Sequence, residues 1–350
     1  MKNNTYTNWW TILLGICCLL AMTILISSCV QPTIKEPRLI KNKTPLSGTD
    51  KESLLIIRVE GENFEQVVLG LSEELTEEFF LHELIVDKNT QKQQIAPKIK
   101  EVSPKIVVLM DNVSISLYKK YQKELPKSAL ITPSVAVMAS FMDMAIKDLK
   151  NSTGIFYEVP LVTSIVSIRA ILSSNSFDKV GVLYREFMRP AINLNKKYCA
   201  TENIELIPHL IANKGNLKSE LKNALNKLGK QIDTLWLPND NKLINAELLK
   251  SVWIYFAKEF QKPIITGIEG LTEPKLNFGT FAVVPDPIQL GTQAAEIIFD
   301  AMENDWEVET GKVEQPRSVY KIINLEQAER LFQIDKEKLQ NIVDKILTGS

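Results

Sequence analysis

Short runs in which nearly every residue is apolar recur through this chain, each followed by a polar turn and a longer amphipathic stretch. "SLLIIRV" (53–59) reads as a first strand, and "FEQVVLGLSEELTEEF" (64–79) as the helix after it, with Val67, Val68, Leu71 and Leu75 on one side. "ELIVD" (83–87), "KIVVLMD" (105–111), "SALIT" (128–132) and "STGIFYE" (152–158) keep the same rhythm. A second set follows: "VGVLY" (180–184), "IELIPHL" (204–210), "TLWLPN" (234–239), "PIITG" (263–267) and "FGTFAVV" (278–284). Helical patterns such as "LKSELKNALNKL" (217–228) and "AELLKSVWIYFAKEF" (246–260) separate them. A strand that is apolar on both faces must be covered on both, as in a parallel sheet flanked by helices. The expected fold class is therefore α/β, with two doubly wound parallel-sheet lobes joined by a hinge. Open parallel sheets take ligands at the carboxyl ends of their strands, so two such lobes facing each other make a clamp.

The first 50 residues do not share this rhythm. Lys2 is the only charge before an uncharged run from Asn3 to Val30, strongly apolar from Trp9 to Ile26 and closed by Ser27 and Ser28. That order of regions is a secretory signal, here residues 1–28. Ile26-Ser27-Ser28-Cys29 resembles the bacterial lipobox, in which small residues fit a peptidase site and the cysteine thiol takes a lipid, diacylglycerol with palmitate. A simple signal anchor is the alternative; either arrangement keeps the body outside the cytoplasm, tethered to a membrane. Residues 29–50 carry Pro32, Pro37, Pro45 and Gly48 and read as a flexible stalk.

The whole chain is 45% hydrophobic and carries a net charge of −1, so it has core for two domains and no electrostatic footprint for nucleic acid. With Cys17 and Cys18 removed and Cys29 acylated, Cys199 is left alone, which excludes an intramolecular disulfide. No phosphate-binding loop, dinucleotide fingerprint or nucleophile elbow occurs. His82, His209 and Cys199 lack metal-ligand spacing, and Cys199 reads as a half-buried helix residue. The residues therefore predict no enzyme, no cofactor and no metal.

From Val180 onward, "KVGVLYREFM", "IDTLWLPNDNKLI", "KPIITGIEGL", "GTFAVVPDPIQLGTQAAEIIFDAM" and "QPRSVYKIINLEQAERL" come in the order and spacing of a known family. They resemble the ABC-transporter substrate-binding lipoproteins of the tryptophan/tyrosine type, which have the type I periplasmic binding protein fold. The Pro-x-Asp-Asn turn at Pro238–Asn241, the Pro285-Asp286 pair followed by Leu290-Gly291, and the late "INLEQA" are the most specific pieces. The resemblance covers residues 150–335 well and is weaker over 51–150, where "MDNVSISLYKK" (110–120) replaces the family's small-residue turns.

The resemblance implies a monomeric, lipid-anchored protein of the cell envelope that captures a small-molecule solute, often an amino acid, and presents it to an ABC permease and its ATPase. A ligand-sensing lipoprotein that signals to a membrane receptor is the alternative. The implied division is 51–157 plus about 286–316 for lobe 1 and 158–285 plus about 317–350 for lobe 2. Strand-end residues with suitable chemistry are Asn239, Asp240 and Asn241, with Asp240 able to pair with an ammonium group, and Asp286, Glu269 and Tyr184 in the same lobe. Arg185 offers a fork for a ligand carboxylate. The first lobe contributes Glu60, Asp111, Asn112 and Ser134, with Tyr157 at the first crossover. Asp and Asn also cap helices and make tight turns for backbone reasons alone.

Overall fold

The computed structural model describes residues 38–39, 51–87, 89–90, 94–172, 177–212 and 215–349. The signal and lipidation readings, Cys29 included, lie outside the described residues. Two seven-stranded sheets carry the body. The first runs in the order β1 (Arg38–Leu39), β3 (Phe79–Ile85), β2 (Glu52–Arg58), β4 (Ile106–Met110), β5 (Ser134–Val137), β6 (Ser152–Ile155) and β12 (Val313–Glu314). All neighbours are parallel except β1, which pairs antiparallel with β3. The stalk reading thus needs one correction, since Arg38 and Leu39 cover the otherwise unpaired edge of β3.

The second sheet runs β14 (Lys345–Leu347), β13 (Val319–Asn324), β11 (Phe281–Pro285), β10 (Ile264–Thr266), β9 (Thr234–Leu237), β7 (Lys179–Arg185) and β8 (Glu205–Ile211). Here only β13 runs against β11. Both faces of this sheet are buried, as its composition requires. Val180, Val182, Trp236 and Ile265 pack on one side with Ile165, Ile168 and Ile192, while Leu183, Leu235, Leu237 and Ile264 pack on the other with Leu221, Leu225 and Trp253. Alternate residues of one strand thus serve two helical layers.

The helices of the first lobe are α1 (Glu62–Leu75), α2 (Ile95–Val102), α3 (Asp111–Glu124) and α4 (Met142–Ile146). Those of the second are α5 (Leu161–Ile171), α6 (Arg189–Thr201), α7 (Leu217–Leu228) and α8 (Ile254–Phe260), the last entered through a π-helical turn at Leu249–Trp253. The chain then crosses back: α9 (Pro287–Glu303) packs on α1 in the first lobe, and α10 (Leu325–Leu331) and α11 (Lys336–Ile342) follow in the second. Gly70 and Gly291 set the spacing of the α1–α9 crossing. A Cβ on Gly70 would lie 2.1 Å from the Ile288 carbonyl oxygen, and one on Gly291 2.2 Å from that of Val67.

One strand falls elsewhere than its pattern predicts. "SALIT" is irregular and Leu130 is 98% exposed, while the strand is Ser134–Val137, entered through Pro133. The serine that opens it is buried, and its hydroxyl pairs with that of Ser152 at 2.9 Å. Cys199 is fully buried, beyond the half-burial its helix pattern implies.

Candidate functional site

Three crossovers join the lobes: 156–160 between β6 and α5, 285–286 between β11 and α9, and 315–318 between β12 and β13. Beside them lies a cavity of about 590 Å³ with walls from both lobes. Gly61, Glu62, Asn63, Phe64 and Gln66 line it from the start of α1, Glu269, Gly270, Glu273 and Lys345 from the second lobe, and Tyr157, Pro285 and Asp286 from the crossovers. This volume lies within the range of small-molecule sites.

The α1 wall follows from its sequence. Gly61 takes φ 154°, and its carbonyl accepts from the amides of Phe64 and Glu65, each at 3.1 Å. A side chain at this position would meet the Phe64 ring at 3.1 Å. The amides of Glu62 and Asn63, in the first turn, have no intrahelical acceptor and stand at the cavity wall. Opposite, Glu269 accepts from Lys345 Nζ at 2.7 Å. The Asp286 carboxylate caps α9, accepting from the amides of Ile288 at 3.0 Å and Gln289 at 3.3 Å. Burial first, then the charges of Glu269 and Glu158, lift the Tyr157 hydroxyl to about 12, so it stays protonated.

A second set of contacts ties lobe to lobe directly. Asn239 Nδ2 donates to Ser140 Oγ at 2.8 Å. Asn112 holds Ser140 in place, donating to its carbonyl at 3.0 Å and accepting from its amide at 2.9 Å. Phe141 meets Phe187 edge-to-face with ring centres 4.9 Å apart, and the Arg185 guanidinium lies 4.5 Å over the Phe187 ring. Arg185 also grips Asp240 with two hydrogen bonds of 2.7 Å, and the Asp240 side chain is 1% exposed. Asp111, the first residue of α3, and Met138 and Phe141, in the loop after β5, all have positive φ, at 85°, 58° and 55°. Such conformations cost energy and persist where surrounding contacts hold them.

Behind this zipper is a smaller cavity of about 190 Å³ between Phe141, Trp236 and the first turns of α6. Glu158 opens onto it and accepts from the Phe141 amide at 2.7 Å. Burial raises this carboxyl to about 7, with the nearby Asp143 charge pushing the same way.

The structure thus sorts the strand-end residues into groups. Tyr157, Glu269 and Asp286 share the large cavity. Asn112, Asn239 and Asp240 belong to the interlobe zipper. Asp111 turns its carboxylate back onto the Val113 amide, and burial raises its pKa. Tyr184 is buried in the second-lobe core, Glu60 and Asn241 are exposed, and Ser134 sits at the amino end of β5, away from the crevice. Sequence reasoning did not single out Glu62, Asn63, Phe64, Lys345, Ser140, Phe141, Phe187 or Glu158. Placing β5 at 134–137 would have put Ser140 and Phe141 at a strand end.

This is the two-lobed fold of the type I periplasmic binding proteins, with mixed, mostly parallel sheets. Among the solved structures that resemble it are the following three. A ligand-free, open substrate binding protein with adhesive properties from Clostridium difficile is 15% identical, with a TM-score of 0.60 over 85% of this chain and 100% of that one. A Streptococcus pneumonia ABC domain in complex with L-Trp is 16% identical, with a TM-score of 0.55 over 85% and 100%. A conserved domain protein from Vibrio cholerae is 18% identical, with a TM-score of 0.52 over the same shares. No protein-family model matches the chain, and no curated protein matches it.

Proposed function

We propose that this protein is an extracytoplasmic solute-binding lipoprotein of an ABC importer, monomeric and tethered through Cys29, which captures one small solute between its lobes. The observation that carries the reading is the 590 Å³ cavity whose walls come from α1, the β10 end and two crossovers. A solute there touches both lobes at once, so its binding energy favours the closed arrangement over the open one. The crossovers are short enough to bend while each sheet stays rigid. The zipper of Asn239, Ser140, Phe141 and Phe187 forms a rim that the two lobes close against. A micromolar solute needs about −8 kcal/mol, which several charge-assisted hydrogen bonds and an aromatic wall supply after ordering costs. Among the described residues no helix is long and apolar enough to cross a membrane, and the proposed anchor is the lipid on Cys29.

The test is scanning fluorimetry of the purified chain against amino acids, amines, sugars and nucleosides, since a solute bound only by the folded state raises the melting temperature. Asn63→Trp, which projects an indole from the α1 wall into the cavity, is expected to abolish the shift. Solutes that stabilise Asn63→Trp as well as the parent protein would place binding outside the cleft and end this reading.

A further inference from the structure

The charge inventory of the large cavity is one-sided. Glu62, Glu269, Glu273 and Asp286 line it against Lys345 alone, four carboxylates to one ammonium. That ammonium is already bound to Glu269 at 2.7 Å. The arginines that end strands beside the cleft are occupied as well. Arg185 spends two donors on Asp240, and Arg58, at the end of β2, is paired with the buried Glu83 through its Nε at 2.5 Å. Neither is placed to fork onto a solute carboxylate. The first-turn amides of α1, which could also face an anion, lie beside the acidic side chains of Glu62 and Glu65, and the other side-chain donors in the lining, on Asn63, Gln66, Tyr157 and Tyr320, carry no positive charge.

An independent observation points the same way. Tyr157 lines this cavity, half-buried, and among the described residues no hydrogen-bond partner faces its hydroxyl. It stands where Glu269 and Glu158 both act on it, so it marks a pocket of negative potential with an unspent polar group. Phe64 and Tyr320 add aromatic faces to the same wall. Carboxylates and aromatic faces around one space are the chemistry that replaces the hydration of an organic ammonium. A zwitterion entering here would bring its own carboxylate into a space lined by four carboxylates and one ammonium.

We infer that the cleft selects a small organic cation, an alkylammonium or diammonium with an apolar body, over neutral and zwitterionic amino acids. The inference rests on the reading of the cleft as the solute site. Lys345 acts as a placeholder: its ammonium is held by Glu269 and is displaced when the solute's ammonium arrives. Because Lys345 lies on the edge strand β14 and its side chain is 44% exposed, it can swing into solvent at little cost.

The test is isothermal calorimetry on the purified full chain in non-ionic detergent, with putrescine and choline as cationic probes, L-tryptophan and L-tyrosine as zwitterions and L-glutamate as an anion. Putrescine or choline is expected to bind more tightly than the other three. Glu269→Gln is expected to weaken that binding roughly ten- to hundredfold, the scale of a hydrogen bond to a charged group. Lys345→Met is expected to tighten it roughly two- to fivefold by freeing Glu269, an effect that damage to the fold would not produce. Tighter binding of a zwitterion, abolished by Asn63→Trp, would overturn the cationic selection and leave the solute-binding reading standing. Cation binding that ignores both Glu269→Gln and Lys345→Met would overturn the inference too. Absence of any Asn63→Trp-sensitive binding would overturn both.

Discussion

Glu158 carries a stability cost that depends on pH, and Glu158→Gln should remove it. The carboxyl sits at the first crossover, where burial lifts it from an ordinary 4.5 to about 7. Between these values the folded protein holds a proton that the unfolded chain has released. Stability is therefore greatest below about pH 4.5 as far as this group is concerned, and it falls as pH rises through 7. The displacement of about 2.5 pH units, at 1.36 kcal/mol each, amounts to about 3 kcal/mol at pH 8. Glutamine keeps an oxygen to accept the Phe141 amide and has no charge to desolvate. Glu158→Gln should raise the melting temperature by several degrees at pH 8 and change it little near pH 4.5. Differential scanning calorimetry of both proteins over pH 4.5–8 measures this. An equal effect at both ends of the range, or a loss of stability at pH 8, would refute the assignment of a buried, unpaired carboxyl to this hinge.

Three further outcomes follow from contacts already described. Arg185→Met should cost about 3–5 kcal/mol in urea unfolding, because it strands the buried Asp240 charge, whereas Asp240→Asn should cost less because Arg185 reaches solvent. Gly70→Ala should destabilise by at least about 1–3 kcal/mol, since its Cβ would strike the Ile288 carbonyl across the α1–α9 crossing; a thermal melt reads it. Ser140→Ala removes the acceptor for Asn239 and should loosen the empty protein, seen as a larger radius of gyration by small-angle scattering.

The fold was largely legible because its signal is repeated. The leucines of 217–228 define α7 to the residue, and Asn216 caps it by accepting from the Ser219 amide at 3.1 Å. The strands of the second sheet announce themselves by unbroken apolar runs, since both faces are covered. "SALIT" misled because an apolar pattern of five residues carries no information on pairing, whereas Ser134, which opens the true strand, is polar yet satisfied by Ser152. The site was only partly legible for a related reason. Tyr157, Glu269 and Asp286 could be placed at strand ends, but Lys345 reaches the cavity from 76 residues further along through the placement of β14, which no local pattern encodes. Likewise, the engagement of Arg185 with Asp240 depends on β7 and β9 being neighbours in the sheet.

The central claim, that one small solute is held between the two lobes, is tested most directly by native mass spectrometry of the chain after incubation with a small-metabolite extract. The account predicts a single added mass at one-to-one stoichiometry on the parent protein, absent from Asn63→Trp. An added mass that persists on Asn63→Trp, or none on either protein, would contradict it.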